Sequence, residues 1–367
     1  MTEKTEKTQK FIDFVSALVN IPTVTGFEKQ NAEKIADIVK KYTGIQFDSQ
    51  SITPSGSVIL EMTCKKPGAK RLVFDAHYDT VGFMVTKHVQ NGFVQVTNLG
   101  GIDTGILYGA QAELYGKQTI RGFFTSTPPH LSKNESRADI SEILIDTGLD
   151  DDTLKELCPI GTPAGFYETV LKLANGKIAS KSLDDKICVA AAAKALEMLF
   201  ENRPQNLDVC LHLSCGEEKS MLGGATFAQN LKADAYIVLD VNFAKEQTSR
   251  DGEYLEFEKG AGISISSATS HVLTRAIFNS AKKHAHNLQR VVEMTNTGTN
   301  ANIAGRKCTG THTAVLSIPL RYMHTSVETV SVEDCFSCAE ILRDFAYDCD
   351  KEFPCESLNR IKGGEVF

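Results

Sequence analysis

From Asn175-Gly176 onward the chain alternates between strand-like and helix-like segments, and that pattern limits the fold more than any other feature. Apolar runs at Leu207–Cys215, Ala235–Asp240 and Thr313–Pro319 predict buried strands. Helix-period segments flank them at Asp185–Phe200, Ala225–Lys232, Thr269–His284 and Val332–Cys349. Such alternation needs crossover connections, so it predicts an α/β fold with a mostly parallel sheet flanked by helices on both faces. The same pattern holds before residue 82, with helices predicted over Phe11–Leu18 and Glu28–Tyr42 and strands over Val58–Met62 and Leu72–Ala76. Between Gly82 and Asn175 it breaks. Short β-like runs (Phe83–Val85, Gly92–Val96, Ile106–Leu114, Thr119–Thr125, Glu142–Asp146) are divided there by glycines and polar turns. The expectation is a discontinuous α/β domain, residues 1–82 and 176–367, interrupted by a β-rich domain at 83–175. The length of 367 residues agrees, since single cores stop growing at roughly 250–300 residues.

Lys+Arg 39 against Asp+Glu 46 leaves a net charge of −7, the opposite of a nucleic-acid binder's basic footprint. Met1-Thr2-Glu3-Lys4-Thr5-Glu6-Lys7 carries acids and bases where a signal peptide needs an apolar stretch. The longest apolar segment, Ile187–Phe200, is broken by Lys194 and Glu197 and is shorter than the roughly 18 residues of a membrane span. A cytoplasmic protein with neither a nucleic-acid nor a membrane partner is expected. The ten cysteines, at 64, 158, 188, 210, 215, 308, 335, 338, 349 and 355, lie mostly in apolar runs, as buried reduced thiols would.

In open α/β sheets, ligands bind outside the carboxyl ends of the strands. Here the strand through Leu72-Val73-Phe74-Asp75-Ala76 ends at His77, and Leu211–Gly216 runs into Glu217-Glu218. Ala235–Leu239 ends at Asp240, His324 follows Ser317-Ile318-Pro319, and Asp184-Asp185 stands where a long helix begins. Each has an ordinary explanation alone: Asp184 or Asp185 as a helix cap, a strand-end histidine as a hydrogen-bonded surface residue, Glu217-Glu218 as an exposed pair. One dinuclear metal centre explains all five places together. Two imidazoles and three carboxylates without a thiolate suit two Zn²⁺ ions, with Co²⁺ or Mn²⁺ as alternatives. A shared carboxylate would hold the cations roughly 3.5–4 Å apart, and Asp184 is the candidate bridge. Glu217 and Glu218 diverge as neighbours on an extended chain, so one can bind metal while the other serves as general base. Asp79 lies two residues beyond His77 and faces the same way, where it can accept the other ring N–H of His77.

Asp75-Ala76-His77-Tyr78-Asp79-Thr80-Val81-Gly82, Leu183-Asp184-Asp185-Lys186, Gly216-Glu217-Glu218, Leu239-Asp240-Val241 and Pro319-Leu320-Arg321-Tyr322-Met323-His324-Thr325 together resemble a known motif series. It is that of the tetrahedral, glutamyl-type aminopeptidases, cytosolic co-catalytic metallopeptidases of which some are labelled endoglucanase or cellulase M. The resemblance spans nearly the whole chain and implies a zinc-exopeptidase-like fold. It implies His77 and Asp240 on one metal, Glu218 and His324 on the other, Asp184 on both, Glu217 as the base and Asp79 as the residue that orients His77. A hydroxide bridging the metals would attack the first carbonyl of a peptide substrate. The inserted domain would serve dimerisation and shape the substrate pocket, with dimers assembling into a dodecamer. The chain departs from the family at Thr80 (usually Glu), Lys186 (Arg), Lys219 (apolar) and Asn300 (Asp), none of them a proposed ligand.

The enzymatic rival is an endoglucanase-type glycoside hydrolase, whose two carboxyls need a separation of about 5–9.5 Å and no metal. It leaves the chelators without a purpose. A catalytically weakened metal-binding homologue is the third reading, motivated by the four departures. Elsewhere, Cys335-x-x-Cys338 and Cys215 read as packing residues, Asp150-Asp151-Asp152 as a helix N-terminus, and His284 and His286 as helix-end residues without function.

Overall fold

Eight strands form one sheet in the spatial order Ser49–Ile52, Val58–Met62, Leu207–Ser214, Lys70–His77, Ala235–Phe243, His312–Leu320, Ala261–Ser266, Leu288–Glu293. The computed structural model describes residues 3–125, 139–167, 169–230, 232–246, 249, 254–293, 296–307 and 311–354. Cys308 and Cys355 lie outside the described residues, as does Leu231 of the helix expected at Ala225–Lys232. The four central strands run parallel, and the sheet turns antiparallel at Val58–Met62 and again between His312–Leu320 and Ala261–Ser266. The expected mostly parallel α/β sheet is therefore present.

Both faces are covered. On one, the helix Leu183–Glu201 lies against the sheet with the helix Val332–Lys351 beside it, and Ile187 to Ala193 are buried without interruption. The run of alanines explains this, because small side chains let a helix approach neighbours on every side. On the other face, Phe227 and Ala228 of the helix Leu222–Asn230 and Ala301 and Ala304 of the helix Ala301–Lys307 pack over Val73, Tyr236, Val238 and Val315. Among the described residues, no helix is long and apolar enough to cross a membrane.

The stretch after His77 leaves this sheet altogether. Gly82–Val89, Phe93–Leu99, Leu144–Asp146, Thr119–Phe124, Gln111–Tyr115 and Pro163–Phe166 close in that order into a six-stranded barrel. Its interior is a second core, with Phe83, Phe124 and Phe166 in mutual ring contact at 4.8 to 6.3 Å between centroids. The Thr119–Phe124 strand alternates exposed and buried positions, as a strand around a filled small barrel must. From the barrel the chain returns through Lys177–Ser180, which pairs with Leu171–Lys172 on one side and Glu328–Ser331 on the other.

Several elements differ from the sequence expectations. The first helix begins at Glu3, ahead of the apolar periodicity that starts at Phe11. The run expected over Ile106–Leu114 divides: Asp103 caps a single turn at Thr104–Ile106 by accepting the Gly105 N–H, and the strand begins only at Gln111. Ala261–Ser266 and Leu288–Glu293 are strands without an apolar run to announce them, because glycine, serine and charged residues fill their sequences. Asp150-Asp151-Asp152, by contrast, is the helix N-terminus expected: Asp150 caps the helix Asp151–Leu157, accepting the Thr153 N–H at 2.9 Å.

Candidate metal centre

Sheet order puts the proposed residues within reach of one another. The strand Lys70–His77 lies between Leu207–Ser214 and Ala235–Phe243, with His77 opposite Ser214 and Val238 opposite Asp75. Two residues past Ser214, Gly216 turns the chain at φ 65°, a left-handed conformation suited to glycine, and releases Glu217 and Glu218 into a short helix. Asp240, the penultimate residue of its strand's buried stretch, has its Oδ1 4.0 Å from His77 Nε2. Asp184 and Asp185 open the Ala-rich helix with non-helical dihedrals and a cis peptide between them. His324, also left-handed at φ 61°, projects back over the sheet edge from the loop after His312–Leu320.

All seven proposed residues meet there. The two oxygens of Asp184 face different imidazoles: Oδ1 is 3.2 Å from His77 Nε2 and Oδ2 is 3.3 Å from His324 Nε2. His324 Nε2 is also 3.3 Å from Glu218 Oε2, and His77 Nε2 is 4.0 Å from Glu217 Oε2. Single ligand atoms of His77, Asp184 and Glu218 lie within 4.8 Å of one another, as do those of His77, Asp185 and Asp240. Asp185, the neighbour of the candidate bridge, thus joins the cluster.

Asp79 acts differently from a simple orienting carboxylate. Its main-chain carbonyl is 3.0 Å from His77 Nδ1, nearer than its own Oδ1 at 3.6 Å. The carboxylate accepts the backbone N–H groups of Glu217 at 3.0 Å and Glu218 at 3.2 Å, tying the glutamate turn to the His77 strand.

The electrostatics of the cluster are those of too many carboxylates for the charge available. Burial pushes Asp240 up to about 8, against the pull of His77 and with Asp184 adding repulsion. Burial also holds Glu217 well above the usual carboxylate range, His77 opposing and Asp240 and Glu218 reinforcing. For His324, burial alone would lower the pKa, but hydrogen bonds to Asp184 and Glu218 raise it to about 11; His77 is raised in the same way, by Asp184 and Asp79. Burial works against Asp184, yet the two imidazoles hold it below its ordinary value. The imidazoles thus keep protons that partly offset the carboxylates. Glu217 Oε1, Glu218 Oε1 and both oxygens of Asp185 are buried without a hydrogen-bond partner. Unpartnered buried carboxylate oxygens beside N/O donors fit divalent cations, which neutralise such charge directly.

Sequence reasoning missed Glu328 and Gly101. The buried Glu328 carboxylate accepts the backbone N–H groups of Asp184 and His324, and Gly101 in the barrel offers its carbonyl to His324 Nδ1 at 2.6 Å. An acid opening the otherwise uncharged strand Glu328–Ser331 was the only signal for the first, and a main-chain carbonyl leaves none. Of the four departures, Lys186 is buried and donates to the Ile21 carbonyl at 2.7 Å, and Lys219 is exposed. Thr80 is buried and pairs through its main chain with Thr23 and Thr25. The Asn300 amide contacts Asp75 and Ser214.

Imidazoles and carboxylates are thus gathered at the carboxyl edge of a mostly parallel α/β sheet. The model of the M42 glutamyl aminopeptidase family matches residues 56–341, most of the chain, and the chain belongs to that family. It is 28% identical over 330 residues to the lysyl aminopeptidase of Pyrococcus furiosus, covering 88% of this chain and 92% of the relative. It shares the fold of a TET aminopeptidase from a marine-sediment Thaumarchaeota archaeon at a TM-score of 0.86 and 22% identity, covering 96% of this chain and 99% of the other. The TET1 peptidase of Pyrococcus horikoshii, which assembles into a tetrahedron or a large octahedral shell, matches at a TM-score of 0.80 and 24% identity over 92% and 99% of the two chains.

Proposed function

We propose that the protein is an aminopeptidase that removes the N-terminal residue from peptides. Two divalent cations, Zn²⁺ with Co²⁺ or Mn²⁺ as alternatives, would be held by His77, Asp184, Glu218, Asp240 and His324. The observation that carries this reading is Asp184, whose two oxygens each face a different imidazole. When bound, the cations would polarise the first carbonyl of the peptide and acidify the attacking water. Glu217 is the general base. Its Oε1 has no partner, and its raised pKa suits a group that takes a proton from the water and returns it to the leaving amine. Asp79 presents Glu217 and Glu218 inward by holding their N–H groups, and its own carbonyl orients His77.

Residues 83–175 are proposed as the dimerisation and pocket-shaping unit, with dimers building a dodecamer. The exposed Tyr108, Phe123 and Ile160 on this unit support that role. Peptides and further copies of the chain are the partners this reading requires. A cytoplasmic location is supported by the free cysteines among the described residues.

Glu217→Ala is expected to retain two cations per chain while cleavage of aminoacyl chromogenic substrates falls at least a hundredfold, roughly the contribution of a general base. Near-normal turnover by that variant sinks the assignment. Stripping with a chelator and re-adding Zn²⁺, Co²⁺ or Mn²⁺ should abolish and restore the same activity, whereas a chelator-insensitive sugar hydrolase would establish the glycosidase reading instead.

A further inference from the structure

Glu328 opens the strand that pairs with Lys177–Ser180, where Ser180 lies opposite Glu328 and the chain runs on directly to Asp184. Its side chain is 1% exposed. Oε2 accepts the backbone N–H of Asp184 at 3.0 Å, and Oε1 accepts that of His324 at 2.8 Å. Both amides belong to irregular backbone: Asp184 is non-helical at the head of its helix, and His324 is left-handed. Such groups would otherwise be buried without acceptors. On the far side of these segments, the side chains converge at 3.3 Å between His324 Nε2 and Asp184 Oδ2. One carboxylate therefore fixes, from the main-chain side, two residues that meet over the sheet edge.

We infer that Glu328 is a positioning residue that sets the spacing of Asp184 and His324, and with it the affinity for the cation those two share with Glu218. This rests on the dinuclear reading above. The other cation's seat is built differently, since His77 and Asp240 are placed by the pairing of their two adjacent strands. Loss of Glu328 must therefore act on one seat more than on the other. Two acceptor oxygens are essential: an amide has one, and its NH₂ would meet the second N–H donor to donor. Glutamate at this position is a clamp that glutamine cannot replace.

The test titrates metal-free wild type, Glu328→Gln and Glu328→Asp with Zn²⁺ by calorimetry, with bound metal counted by elemental analysis. The wild type should take two equivalents. Glu328→Gln should take one equivalent with an affinity close to wild type and the second at least tenfold more weakly, because Asp184 touches both seats but His324 only the second, and added Zn²⁺ should bring its kcat back toward wild type. Wild-type affinity at both seats, or equal weakening of both, overturns the role. If Glu328→Gln does not fold, Glu328→Asp carries the test: its shortened side chain cannot reach both amides, so it too should weaken the second seat more than the first, and equal weakening of both again overturns the role. A wild type that takes only one equivalent refutes the dinuclear reading itself, a result distinct from either outcome in the variants.

Discussion

Asn300 uses both hydrogens of its amide, donating to Asp75 Oδ2 at 2.9 Å and to Ser214 Oγ at 2.8 Å. It thereby ties the strand that ends at His77 to the strand that leads into Glu217. Asp75 is also 2.7 Å from His212 Nδ1, in a pair with no solvent exposure. Asn300→Asp would set a second carboxylate, without donors, against the first. The expected cost is about 3–5 kcal/mol, with Asp75→Asn in the same chain recovering part of it. A denaturation double-mutant cycle checks this, and strictly additive losses would dismiss the coupling. Proton linkage is a second consequence at this scale. His324 at about 11 and His77, raised well above its usual value, hold protons at neutral pH in the metal-free protein, and Asp240 at about 8 keeps its own below that pH. Cations must displace these protons, so metal affinity is expected to rise with pH through neutrality. Calorimetry in buffers of different ionisation enthalpy should show proton release, and a buffer-independent heat would contradict it. The proposed ligands stood out in sequence because a chelating side chain at a strand end is itself a signal. Glu328, Gly101 and the Asn300 contacts did not, since the first two act through main-chain groups and Asn300 reaches partners 86 and 225 residues away.

At the level of elements, legibility followed side-chain chemistry. Leu207–Ser214 and Ala235–Phe243 are buried on both faces and read as apolar runs. Ala261–Ser266, Ala-Gly-Ile-Ser-Ile-Ser, is almost as buried yet carries little apolar surface, so tertiary pairing rather than local pattern makes it a strand. The helix Leu183–Glu201 shows how tightly the elements fit. Ala190, Ala191, Ala192 and Ala193 have no exposure on any face, sandwiched between sheet and outer helices. Ala191→Leu is expected to overpack this layer at a cost of about 1–3 kcal/mol, read as a lower midpoint in denaturant melts. An unchanged midpoint would mean that the layer has room the packing does not show.

For the whole molecule, the chain's single excursion from the sheet and back is what matters. It leaves the sheet for the barrel just after His77 and comes back just before Asp184, so two proposed ligands flank the junction. The change of texture at Gly82 coincides with the first barrel strand, Gly82–Val89. That the strands close into a barrel was not visible, because closure depends on pairing Gly82–Val89 with Pro163–Phe166 across the whole insertion. The barrel also reaches back, its Gly101 carbonyl accepting the ring N–H of His324. Whatever tilts the barrel against the sheet pulls on an imidazole, and whatever that imidazole binds pulls on the barrel. The two are thermodynamically linked, and linkage is reciprocal. Occupancy at the sheet edge should therefore quiet a loop in another domain: amide exchange over residues 99–104 is expected to slow when Zn²⁺ binds, and unchanged exchange there would show that barrel and metal seat move independently.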